Sequence, residues 1–159
     1  MQNRRVTPED VKKARQAFEA HQPRHLFYRA ATDLVDLALR GATSLTVAEA
    51  LAVLLQTWNR VYYRYRTFDQ AHVTRIEQMV STYRAAIAGY RTRAIDTLNG
   101  EERATIVRLF QTFEDVLGPV GASKALHLLA PGLFPLWGGA IAKAYALPLG
   151  QVGSNGDRY

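Results

Sequence analysis

The 159-residue chain contains no cysteine. That absence excludes disulfide staples, thiolate zinc sites, iron–sulfur clusters and cysteine nucleophiles. No apolar run approaches the roughly 20 residues a membrane-spanning helix requires, so no membrane partner is expected. The opening MQNRRVTPEDVKK lacks the apolar core of a secretory signal and predicts a cytoplasmic location. Phosphate-cradling P-loops, G-x-S-x-G elbows, H-E-x-x-H pairs and D-x-D calcium loops are all missing. His21 and His25 stand four apart, but Pro23 lies between them and no acidic residue joins them at ligand spacing. Neither a metal nor a cofactor is expected. Alternating strand patterns and internal repeats are also lacking.

What the chain does have is helical punctuation. Thr7-Pro8-Glu9-Asp10 combines an N-cap, a proline at the first helical position and acids in the first turn. It predicts a helix over 8–20, interrupted at His21-Gln22-Pro23. A second helix over 24–40 would bury Leu26, Phe27, Ala30, Leu34, Leu37 and Ala38, with Gly41 as its stop. Thr46-Val47-Ala48-Glu49 is a capping box, because hydroxyl and carboxylate each serve an orphan amide at the helix start. The helix it opens, 47–65, is apolar around its first half and is the expected centre of the core, with Leu51, Leu54, Leu55 and Trp58 buried. Val73, Ile76, Val80, Tyr83 and Ile87 keep helical spacing over 70–91, with a bend or end expected at Gly89. Asn99 caps a further helix striped by Ile106, Leu109, Phe110, Phe113 and Leu117. A short turn over 118–121 leads to helices at 122–129 and 139–146. The expected fold is all-α: one domain over 1–147 with about seven helices, and a flexible Gly-, Ser- and Asn-containing tail over 148–159.

Charge is unevenly placed. The formal net charge is +6. Between Trp58 and Arg93, seven arginines face two acids, for +5, and the other 13 bases and 12 acids sum to +1. The bases are 16 Arg to 4 Lys, and the guanidinium fork suits phosphates and carboxylates. In Trp58-Asn59-Arg60-Val61-Tyr62-Tyr63-Arg64-Tyr65-Arg66, rings alternate with guanidinium groups. On a continuous helix Trp58, Tyr62 and Tyr65 share a face. That face reads either as core packing beside a solvated basic face, or as rings for bases beside arginines for phosphates. Ser123, Lys124 and His127 follow the glycine-rich turn, and a buried Lys124 beside His127 would make a nucleophile with a base.

Leu117-Gly118-Pro119-Val120-Gly121-Ala122-Ser123-Lys124-Ala125-Leu126 resembles the helix–hairpin–helix motif of the DNA-glycosylase superfamily. Gly121 matches the turn glycine, Ala125 the small packing residue and Val120 the apolar position. Phe134-Pro135-Leu136-Trp137-Gly138-Gly139-Ala140-Ile141 is similar to the family's apolar-Pro-x-x-Asp-Gly run. The likeness covers about 117–146. It implies a helix–hairpin–helix-like turn whose amides face a DNA phosphate. Gly118, Val120, Gly121, Ser123 and Lys124 would then contact DNA, with Arg60, Arg64 and Arg66 as the basic surface. The sequence departs from the family at three places. Gly138 stands at the catalytic Asp position and supplies no acid. Pro119 removes an amide from the anion site, and the nucleophilic lysine position falls on Ser123 rather than Lys124. These features predict a DNA-binding helical protein with a glycosylase-like scaffold and no base excision, with Lys124 and His127 left as catalytic candidates. The alternative reading is a soluble helical interaction module whose basic surface meets an acidic protein partner.

Overall fold

The computed structural model describes residues 7–21 and 24–159. The break expected at Gln22-Pro23 lies outside those residues. Among them are eight α-helices and no strand: α1 (Pro8–His21), α2 (Arg24–Leu39), α3 (Val47–Trp58), α4 (Arg60–Tyr63), α5 (Gln70–Thr82), α6 (Arg84–Arg91), α7 (Arg103–Leu129) and α8 (Gly139–Ala144). Short 3-10 turns at Ile95–Thr97 and Gly100–Glu102 lead into α7.

The caps form as the sequence predicts. Thr46 Oγ1 accepts from Glu49 N while Glu49 Oε2 accepts from Thr46 N, closing both halves of the capping box. Asn99 does the same with Glu102, although the turn it opens is 3-10 before it becomes α7. Gly41, at φ 66°, ends α2 in the left-handed conformation that glycine adopts without strain. Helix α3 lies at the centre, packed on α2, α5 and α7. Leu51, Leu54 and Leu55 are fully buried with Ile76, Leu109, Phe110 and Phe113.

Several expectations are corrected. The buried face of α2 is carried by Ala31 and Val35, while Leu26 and Phe27 are exposed. Helix α3 ends at Trp58 instead of residue 65. Asn59 leaves the helical region (φ −115°, ψ 28°) and spends its side-chain amide on Leu117 O, 3.3 Å away. This break re-aims everything after it, so Trp58 and Tyr62 are half-buried but Tyr65 is 78% exposed. The expected helix over 70–91 is divided at Tyr83 rather than Gly89; the Tyr83 hydroxyl meets Thr112 Oγ1 at 3.0 Å.

The turn over 118–121 is a one-residue break. Only Gly118 (φ 71°, ψ 167°) is non-helical inside α7, and Pro119 starts the next helical stretch, where its missing N–H costs nothing. In the stretch 148–159, expected as a flexible tail, most residues are exposed, but Asn155 and Tyr159 are anchored on α7. Asn155 is fully buried, accepts from Gly150 N and donates to the buried carboxylate of Glu114. Tyr159 stacks on Phe110 with ring centroids 4.3 Å apart, beside Phe134 and Trp137, and donates to Pro135 O at 2.7 Å.

A basic groove at the break between α3 and α4

The α3–α4 break creates a groove of about 1020 Å³. Trp58, Arg60, Tyr63 and Arg64 line it together with Pro119 and Val120 of α7. A second hollow of about 490 Å³ shares Gln56, Tyr63 and Arg64 with the first and runs on to Arg66 and Phe68. The two glycines of α7 have a packing role here. A Cβ on Gly118 would stand 2.9 Å from the Tyr62 ring, and one on Gly121 would stand 2.7 Å from Asn59 Nδ2. Both positions are therefore restricted to glycine by the close approach of the chain around 59–62, and Gly118 also by its positive φ.

Both tyrosines turn their hydroxyls inward. Tyr62 donates to Val116 O at 2.8 Å, and Tyr63 bonds His72 Nε2 at 3.0 Å. Burial raises the pKa of each phenol, so both stay protonated. Burial and then the Arg75 guanidinium lower the His72 pKa, which favours the neutral ring. The hydroxyl bonds hold the rings edge-to-face, 5.2 Å apart, and Arg66 lies over Tyr62 with its Cζ 5.0 Å from the centroid.

The arginines divide into two sets. Arg60, Arg64 and Arg66, with Arg75 and Arg84 further along the chain, are exposed, and the ion pairs among the described residues do not include them. Arg91 and Arg93 are consumed within the fold. Arg91 bonds Asp36 at 2.7 Å and Leu129 O at 2.8 Å, and Arg93 grips Glu102 with both terminal nitrogens. The free cationic surface is therefore narrower than the seven-arginine count.

The remaining expected site residues separate. The Lys124 ammonium donates to Trp58 O at the end of α3, and its partial burial pushes its pKa down to about 8. His127 has both nitrogens engaged, Nδ1 with Phe134 O at 2.7 Å and Nε2 with the Tyr28 hydroxyl at 2.8 Å. Burial lowers its pKa. The partners of Lys124 and His127 are thus different groups, and no hydrogen bond joins the two into a nucleophile–base pair. Ser123 is buried; its hydroxyl donates to Trp137 O and accepts from Trp137 N, each at 3.0 Å. Gly138, the next residue, is the N-cap of α8, half-exposed, with open space where a Cβ would point.

Sequence reasoning missed Asn59, Tyr28 and the Glu114–Asn155 pair. Asn59 carried a readable signal, since an asparagine in the middle of an apolar helix favours a break. Tyr28 carried none, because its contacts with Trp58 (5.8 Å between centroids) and His127 (5.7 Å) are long-range. No helix of the described residues is long and apolar enough to cross a membrane. The fold and groove define an all-helical protein with a basic, aromatic-walled cleft. No protein-family model, curated protein or solved structure matches the chain.

Proposed function

We propose that this chain binds nucleic acid through the α3–α4 face, as a DNA-glycosylase-like helical scaffold that does not excise bases. The observation that carries the reading is the contrast among the arginines. Arg60, Arg64 and Arg66 are exposed around a groove with no carboxylate paired to them among the described ion pairs, while Arg91 and Arg93 are neutralised internally. Desolvating a carboxylate-free guanidinium cluster is favourable only against an anion, and a phosphate backbone supplies one. The second half of the reading rests on Gly138. The resemblance places an acid there, and glycine has no group to stabilise an oxocarbenium-like sugar.

A second reading, an acidic protein partner, is favoured by one observation. Val61 and Tyr65, at 76% and 78% exposure, stand among the arginines and would add apolar contact to a protein interface. Replacing Arg60, Arg64 and Arg66 together by Gln tests the proposal. Affinity for a 12-base-pair DNA or its single strand falls at least about tenfold if these residues meet phosphates, one charge-assisted contact being worth about 1.5–3 kcal/mol. Unchanged affinity for both rejects it.

A further inference from the structure

We infer that the groove at the α3–α4 break takes an unpaired nucleic-acid strand, with Trp58, which lines it, stacking one base and Arg60 and Arg64 holding neighbouring phosphates. This rests on the nucleic-acid reading and narrows it to one class of substrate.

Three features of the groove favour a single strand over a duplex. The first is the walls. Trp58 lines the groove, and Tyr28 occupies one face of its indole at an interplanar angle of 20°. The other face has no aromatic neighbour among the described ring contacts. A base inside a duplex has both faces covered by its neighbours, so an aromatic platform has a partner only when the base is out of the stack.

The second feature is the orientation of Tyr62 and Tyr63. Their hydroxyls are committed to Val116 O and His72, so what they add to the groove lining is apolar and not a phosphate donor. With Pro119 and Val120 added, the lining suits the flat, largely apolar body of a nucleobase.

The third feature is the size of the charged footprint. Arg64 N donates to Arg60 O at 2.9 Å, so the two residues follow one another on the same side of a helical turn, and Arg66 comes two residues later. Three unpaired guanidinium groups within seven residues of chain suit two or three phosphates of one strand. A duplex-binding surface commonly engages about 6–10 phosphates. Stacking also tolerates any base, so little sequence preference follows.

The test is fluorescence anisotropy of the full chain with three labelled probes at one low salt concentration: a 12-nucleotide oligo-dT, a 12-nucleotide oligo-U, and the oligo-dT annealed to oligo-dA. At least one single strand binds at least about tenfold tighter than the duplex, and the two single-strand arms show whether DNA or RNA is preferred. Trp58→Ala weakens single-strand binding by about 5- to 100-fold, the range expected for loss of one stacked base, and Trp58→Phe restores most of it. Because Trp58 also packs on Tyr28, the Arg60→Gln/Arg64→Gln double variant serves as the check that leaves the core intact. It loses single-strand affinity with an unchanged circular-dichroism melt. A duplex bound as tightly as either single strand overturns the inference while leaving the nucleic-acid reading in place. Failure of every oligonucleotide to bind, with retention of polyglutamate, overturns both and assigns the surface to an acidic protein.

Discussion

Arg60, Arg64 and Arg66 stand at one end of the basic stretch and meet solvent, whereas Arg91 and Arg93 at the other end are bound into the fold. Arg91 bridges Asp36 on α2 and the last carbonyls of α7, tying three helices together. Arg93 pairs with Glu102 and also donates to Thr97 O. What separates the two ends is the presence of an acid and of free helix-end carbonyls within reach. Clustered charge in a sequence therefore measures two different things. Near carboxylates and helix C-termini it contributes to stability; away from them it stays exposed to solvent.

The largest effect is expected in the core. Leu54 is fully buried on the central α3. Leu54→Ala should lower unfolding free energy by about 2–5 kcal/mol in urea titration; a loss below about 1 kcal/mol would displace α3 from the centre. Arg91→Gln should cost about 1–2 kcal/mol, since it removes charge-assisted bonds to the Leu129 carbonyl and to Asp36, which keeps Arg40. Removing Arg64 in the same way should stay within about 0.5 kcal/mol. Equal costs at the two positions would erase the distinction.

The C-terminal dock offers a third test. Asn155→Ala leaves the buried Glu114 carboxylate without its amide partner and should cost about 1–3 kcal/mol. Indifference to this change would restore the expectation of a loose tail.

The smallest effect is expected at Gly138. Asp there meets open space at an N-cap with extended backbone (φ −113°, ψ 168°), so Gly138→Asp should fold normally and gain at most a few tenths of a kcal/mol. The unaltered protein should release no base from damaged DNA. If any single change confers release, it should be this one, read by strand scission at the resulting abasic site.

Caps, apolar stripes and the central α3 were legible in the sequence because each depends on residues within one or two turns. Thr46–Glu49, Asn99–Glu102 and Gly41 act locally, and all three appear where their residue types require them. Asn59 hinted at a break, but the group that fixes it, Leu117 O, is 58 residues away, and the end of α3 was placed too late. The same long-range logic hid the anchoring of Asn155 and Tyr159, since Pro148–Tyr159 looks like solvent-exposed chain until Glu114 and Phe110 are placed against them. The site was half legible. The Arg60–Arg66 cluster was visible as charge, but which arginines stay free depended on Asp36 and Glu102. The glycines at 118 and 121 were conspicuous for a turn. Their close approach to Tyr62 and Asn59 appeared only in three dimensions.

The salt dependence of oligonucleotide binding reports whether Arg60, Arg64 and Arg66 contact phosphate. Each phosphate neutralised contributes about 0.7 to the slope of log affinity against log salt for a single strand and about 0.9 for a duplex. If Arg60, Arg64 and Arg66 each hold one phosphate, replacing all three by Gln should make the slope shallower by about 2–3. Identical slopes for the unaltered chain and the triple variant would contradict the account, because arginines that release no counterions are not in contact with nucleic acid.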